Sequence, residues 1–231
     1  MKYIILSFSC FANIAGHAQT QALNQLVYEI RDPKTDALHF RNALETIGEY
    51  LALDVLEELN TKEATVQTLT GADATHSLVD EIPVLVTILR AGLPLNSGVQ
   101  KVFPHSEVGF LAMSRNETTL KAQVDYIALP NLKNRRIILT DTMLATGGSL
   151  LDAIRIIKQY QPKTIFVLAA IASKPGIARI TQYDPSIKIF AAAIDPSLND
   201  KGYIIPGLGD AGDRSYGDKY YLPSSESEHR K

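Results

Sequence analysis

Ile137-Ile138-Leu139-Thr140 leads directly into Asp141-Thr142-Met143-Leu144-Ala145-Thr146-Gly147-Gly148-Ser149, a carboxylate followed by small and hydroxylated residues. The apolar run predicts a β-strand that ends at Asp141, a turn, and a helix that starts at Gly148 or Ser149. A loop at a helix start presents unpaired backbone N–H groups and the positive end of the helix dipole, the chemistry that holds an anion. Thr146 and Ser149 add hydroxyl donors, and Gly147 and Gly148 let the backbone close around a phosphate with no Cβ in the way. Asp141, expected at the carboxyl end of a parallel strand, stands where α/β sheets bind ligands. A carboxylate there suits two vicinal sugar hydroxyls, an ammonium or a metal-bound water. The loop therefore suits a sugar phosphate. It lacks the lysine of the P-loop pattern, which disfavours an ATPase of that type. Alone, a Gly-Gly-Ser turn is an ordinary strand-to-helix connection capped by Ser149; the full run resists that reading.

Two arginines follow apolar strands. Arg90 stands after Val84-Leu85-Val86-Thr87-Ile88-Leu89, and Arg115 stands after Val108 to Met113. Singly, each reads as a solvated cation, but an Arg fork matches phosphate oxygens in geometry as well as charge. A third segment, Gly202-Tyr203-Ile204-Ile205-Pro206-Gly207-Leu208-Gly209-Asp210-Ala211-Gly212-Asp213, contains the spacing of a dinucleotide fingerprint. That reading fails on context, because Pro206 precedes it, no helix pattern follows, and too little chain remains for another βαβ unit. Asp195 to Gly202 imitates the start of a calcium loop, yet its sixth position is Asp200 rather than glycine. Histidines at 17, 39, 76, 105 and 229 are scattered and read as surface or structural residues.

The elements that must hold these groups are legible in part. Asp36 is a candidate N-cap for an amphipathic helix over Ala37 to Leu59, whose apolar positions include Leu38, Phe40, Leu44, Ile47, Leu51 and Val55. Asn60 to Glu81 is polar, with a strand candidate at Thr65 to Leu69. From residue 84 the pattern becomes regular: strands at 84–89, 108–113, 137–140, 164–170 and 187–193 alternate with helices at 93–102, 149–160 and 176–183. Such alternation predicts βαβ units and an α/β fold with a mainly parallel sheet flanked by helices.

The chain has 231 residues and a formal net charge of -2, which fits one domain with a sizeable core and no basic excess advertising nucleic acid. Nothing approaches the apolar length of a membrane span. The single cysteine, Cys10, excludes an intramolecular disulfide and a multi-cysteine metal cluster, and fits a reducing compartment. Residues 1–20 admit two readings. Lys2, the apolar stretch Tyr3 to Ala15 and Gly16-His17-Ala18 imitate a secretory leader. Ser7, Ser9 and Asn13 interrupt that stretch, and Tyr3 to Leu6 reads equally well as a first strand; the leader is the less favoured. Ser224 to Lys231 reads as a solvated tail.

The run from Ile137 to Ser149 resembles the signature with which type I phosphoribosyltransferases bind phosphoribosyl pyrophosphate (PRPP), and most closely that of uracil phosphoribosyltransferases, Asp-Pro-Met-Leu-Ala-Thr-Gly-Gly-Ser. Here Thr142 replaces the proline, a change expected to loosen the loop. Ile88 to Leu93 is similar to the family's pyrophosphate loop, Ser114 to Leu120 to its flexible loop, and Gly202 to Asp213 to its uracil-binding hood. Glu29-Ile30-Arg31-Asp32 and His39-Phe40-Arg41 resemble its N-terminal arm. The chain departs from the family at Pro94 and Ser114, near which glycine and tyrosine are usual. The resemblance runs from about Leu26 to Gly217.

It implies a single domain, 1–231, with an N-terminal strand and helical arm (1–60), an α/β core (84–193), a base-binding hood (194–217) and a tail (218–231). It implies transfer of uracil onto PRPP to give UMP and diphosphate, as in pyrimidine salvage. By resemblance, Arg90, Arg115 and Asp210 act on the leaving diphosphate and its surroundings. PRPP is held by Arg90, Arg115, Asp141, Thr142, Met143, Leu144, Ala145, Thr146, Gly147, Gly148, Ser149 and Asp210. Uracil is read by backbone groups near Ile204, Gly209, Asp210 and Ala211. Mg²⁺ arrives on PRPP with no ligand directly from protein. The loop from Ser114 to Gln123 closes over the site. Family likeness further implies a cytoplasmic homo-oligomer, a dimer or larger, with GTP as a candidate effector and no nucleic acid or membrane partner. Two alternatives share the loop: transfer to another base, which needs a different segment at 204–211, and a PRPP- or nucleotide-sensing regulator that binds RNA, which needs a basic patch.

Overall fold

The computed structural model describes residues 21–115 and 122–219. Both readings of residues 1–20, most of the Ser114 to Gln123 loop and the 224–231 tail therefore fall wholly or largely outside the described residues.

Two helices lead, α1 (Gln21–Arg31) and α2 (Ala37–Leu56). Asp36 caps α2 as its position suggests, its carboxylate accepting the Leu38 and His39 N–H groups at 2.9 and 3.0 Å. The apolar stripe of α2 is buried from Phe40 to Val55, although Leu38 lies 56% exposed. The polar stretch after it is a ribbon of two antiparallel strands, β1 (Thr61–Gln67) and β2 (Asp73–Val79), separate from the main sheet. Only part of β1 was expected, and β2 not at all, because neither strand buries a face that would imprint a period.

The central sheet is built from β3 (Val84–Leu89), β4 (Val108–Arg115), β5 (Ala122–Ala128), β6 (Arg136–Leu144), β7 (Thr164–Ser173) and β8 (Lys188–Asp195), in the order β5-β4-β3-β6-β7-β8. All pairs are parallel except β4 with β5, which closes one edge antiparallel. Helices α3 (Leu93–Val102), α4 (Gly148–Gln159) and α5 (Lys174–Tyr183) make the crossovers. The alternation within each strand divides the core. Leu85, Ile138, Phe166, Leu168 and Phe190 pack under α1, α2 and α3. Val84, Val86, Ile137, Leu139, Ile165, Val167 and Ile189 pack against α4 and α5. Burial on both faces explains the nearly unbroken apolar runs. The strand pair β9 (Ser197–Leu198) and β10 (Ile204–Ile205) and the short helix α6 (Ala211–Tyr216) complete the chain. The Leu89–Arg90 and Ile205–Pro206 peptide bonds are cis.

Three arginines fasten this C-terminal segment to the N-terminal helices. Arg31 donates to both oxygens of Asp195, at 2.9 and 2.7 Å, and to Gly207 O at 2.8 Å, while Asp195 also accepts the Gly207 N–H at 2.9 Å. Arg41 donates to Ser215 O at 2.7 Å. Arg214 donates to Ile30 O, Leu208 O and Asp32 O and lies 4.3 Å from the Phe40 ring centroid. Asp195, 4% exposed, has almost no water to fall back on. Its replacement by alanine leaves the Arg31 charge unmatched and the Gly207 N–H without an acceptor. Asp195→Ala is therefore expected to lower unfolding stability by about 3 kcal/mol, read from urea denaturation; a loss below about 1 kcal/mol would show that the pair behaves as a solvated one.

Candidate active site

Between β3 and β6 the crossovers diverge, β3 leading through α3 to β4 on one side and β6 through α4 to β7 on the other. This is the switch point at which open α/β sheets bind ligands. The strand β6 was expected to stop at Asp141 but runs on to Leu144, because β7 continues beside it through the pairs Asp141↔Ala169, Met143↔Ile171 and Leu144↔Ala172. Its pairing with β3 ends at Thr87↔Thr140. From Asp141 onward β6 thus has one free edge, and Asp141 lies at the opening rather than at the strand's end.

Beyond Leu144 the chain turns through Gly147, at φ 74°, a left-handed conformation natural to glycine, and α4 begins at Gly148. No side chain of the N-cap residue Gly147 caps this helix, and Ser149 does not supply the cap of an ordinary strand-to-helix turn. The Gly148 N–H donates to Thr146 Oγ1 at 3.3 Å. The start of α5 supports the turn from behind. Ser173 Oγ donates to Ala145 O at 2.6 Å and accepts the Gly176 N–H at 2.9 Å. A Cβ at Gly176 would stand 2.3 Å from Ala145 O, so only glycine allows this approach.

A cavity of about 850 Å³ opens over the turn, lined by Asp141 and Met143 through Ser149, with Val124, Asp152, Arg155, Arg179 and Gly202 among the residues around it. Burial pushes the Asp141 carboxyl up to about 7, against the opposing pull of the Met143 and Thr142 N–H groups. An acid so placed is ready to ionise fully when donors such as sugar hydroxyls reach it.

Thr142 does not line this cavity. It is fully buried and donates its hydroxyl to Ala91 O at 2.6 Å. The loosening expected from the loss of proline is thus countered by a tether that proline cannot form, one that joins β6 to the turn after β3. On the other side of that tether lies Arg90, which donates to Asp213 Oδ1 at 2.7 Å and to Gly217 O at 2.8 Å. Asp210 caps α6 by accepting the Asp213 N–H at 2.9 Å. A Cβ at Gly212 would meet Asp210 Oδ1 at 3.2 Å, Arg90 Nε at 3.7 Å and Ala91 Cβ at 3.9 Å, so Arg90, Asp210 and Asp213 form a second cluster. Ile204 and Ala211 are buried in the core beneath it, and Gly209 is exposed. Arg115 ends β4, its backbone paired with Ala122 across the β4–β5 hairpin. His39, His76 and His105 are exposed and distant from this chemistry, as surface residues should be.

Sequence reading missed Asp213, Ser173 and Arg179. Asp213 and Arg90 are separated by 123 positions, so no local pattern ties them. Ser173 had a readable signal, a hydroxyl residue two positions before Pro175 at a helix start.

The family model described as uracil phosphoribosyltransferase matches residues 17–218. The uracil phosphoribosyltransferase of Clostridium kluyveri is 42% identical over 191 residues, covering 82% of this chain and 91% of the relative. That of Aquifex aeolicus is 41% identical over 187 residues, covering 81% and 90%. A solved structure of a protein from Aquifex aeolicus superposes with a TM-score of 0.83 at 38% identity, covering 90% of this chain and all of that one. With the loop, the switch-point opening and these relatives in agreement, the chain belongs to the uracil phosphoribosyltransferase family.

Proposed function

We propose that the chain is an enzyme that joins uracil N1 to the anomeric carbon of PRPP, forming UMP and releasing diphosphate. The observation that carries this reading is the turn from Asp141 to Ser149 at the β3/β6 opening, with its uncapped helix start and carboxylate. Backbone N–H groups from Thr146 to Ser149 hold the 5-phosphate, and Asp141 holds the ribose hydroxyls, so that the anomeric carbon is presented in line. Uracil N1 forms the new bond as the bond to the diphosphate oxygen breaks, with positive charge passing through the ribose ring. The diphosphate leaves with the electron pair, and Arg90 and Arg115 stabilise its charge. Arg90 is already oriented by Asp213. Backbone groups near Ile204, Gly209, Asp210 and Ala211 read the uracil edge, and the departing N1 proton passes to water or to Asp210.

The carboxylates of Asp141 and Asp210 are hard oxygen acceptors that would hold the water shell of a Mg²⁺ ion without ligating the metal directly. Mg²⁺ brought by PRPP would neutralise diphosphate charge there.

Among the described residues no helix is long and apolar enough to cross a membrane, and the family likeness supports a cytoplasmic enzyme with GTP as a candidate effector. The β1–β2 ribbon, with Val66 57% and Leu78 51% exposed, supports a homo-oligomer in which a second copy covers it.

Incubation with PRPP, Mg²⁺ and each of uracil, cytosine, orotate, adenine, guanine and hypoxanthine tests the reaction. UMP from uracil alone is expected. Arg115→Ala is expected to lower kcat/KM on the order of a hundredfold, about 3 kcal/mol in the barrier. Nucleotide from another base would overturn the uracil assignment.

Asp141 gives a second test. Its carboxyl titrates near 7 in the fold and near 3.9 in the unfolded chain. Folding therefore opposes its ionisation: stability is unaffected below pH 4, falls as pH rises towards 7, and stays reduced above. Asp141→Asn is expected to raise the melting temperature at pH 8 and leave it unchanged at pH 4, while weakening PRPP binding. A lower melting temperature at pH 8 than the parent chain would contradict this.

A further inference from the structure

Four ionisable side chains line the cavity over the β6–α4 turn: Asp141, Asp152, Arg155 and Arg179. Two of them neutralise each other, since Arg155 donates to Asp152 at 2.9 Å, and Arg155 also lies 5.5 Å from the Tyr183 ring centroid. Asp141 belongs to the ribose side of the turn. Arg179 stands apart. It projects from α5, is exposed, and makes one hydrogen bond, Nη1 to Thr146 O at 3.2 Å. Among the described residues no carboxylate is paired with it. Its stem lies along the turn itself: a Cβ at Gly147 would be 3.6 Å from Arg179 Cβ and 3.5 Å from its Cδ, and one at Gly148 would be 3.7 Å from Nη1. The guanidinium therefore sits beside the N–H groups that open α4, with N–H donors to spare beyond the one given to Thr146.

We propose that Arg179 is a substrate-binding residue that clamps the terminal phosphate monoester of the sugar phosphate at the Thr146 to Gly148 turn. One donor fixes the Thr146 carbonyl, and the rest of the fork meets the phosphate oxygens, adding a full positive charge to a site otherwise made of dipoles. Arg90, at the second cluster, meets the diphosphate. The two arginines thus divide the substrate's two anionic ends. This assignment rests on the transfer reaction set out above.

The test compares ribose 5-phosphate with inorganic pyrophosphate, each titrated calorimetrically with Mg²⁺ into the parent chain, Arg179→Ala, Arg179→Lys and Arg179→Gln. Arg179→Ala and Arg179→Gln are expected to bind ribose 5-phosphate roughly tenfold more weakly and pyrophosphate unchanged, with Arg179→Lys in between. In turnover, KM for PRPP rises while kcat holds. Equal ribose 5-phosphate affinity in the parent and the folded variants would overturn the proposal. So would an equal loss for both ligands, which marks a general collapse of the turn. If Arg179→Ala does not fold, Arg179→Gln decides. Absence of UMP formation by the parent chain would instead overturn the reaction, and the ribose 5-phosphate titration would still decide the role of Arg179 independently.

Discussion

The hydrogen-bond ladder between β3 and β6 ends at Thr87 and Thr140, and the site follows from that ending. Within the ladder β6 is paired with β3 on one side and with β7 on the other. Past it, β6 keeps β7 as a neighbour and has an open edge, where backbone donors and the Asp141 carboxylate can meet a ligand. The parting is enforced from both flanks, by the turn at Arg90 and Ala91 and by the loop over α4. A sheet whose central strands stayed paired to their tips would have no room for a sugar between them.

The two halves of the opening are nonetheless kept in register. The Thr142 hydroxyl ties β6 to Ala91 O, and Arg90 is tied in turn to Asp213 and Gly217. The C-terminal segment is held by Arg31, Arg41 and Arg214 against α1 and α2. The turn from Asp141 to Ser149, Arg90 and the C-terminal segment therefore form one connected scaffold, in which the carboxylate of Asp195 is the most buried charged member.

How much of this was legible in the sequence depends on where the information lies. The core strands and the turn from Asp141 to Ser149 declare themselves, because burial on both faces demands continuous apolar runs and anion binding demands small residues at a helix start. The end of β6 was misjudged because its length is set by β7, a partner distant in sequence. The ribbon of β1 and β2 carries no period because neither of its faces is buried within the chain. Arg90's partner, Arg179's position and the role of Thr142 are all matters of tertiary contact, which spacing does not encode.

The contacts that complete the site bridge most of the chain's length: Arg31 to Asp195 spans 164 positions, Arg41 to Ser215 spans 174, and Arg214 to Ile30 spans 184. During synthesis the leading helices emerge first and the α/β layers can assemble behind them. The cationic grips on α1 and α2 must wait until residues 195–215 have left the ribosome. A nascent chain that has not reached those residues therefore carries a formed Asp141 to Ser149 turn with no finished wall opposite it. Competence arrives only once residues 195–215 have been made and have met α1 and α2.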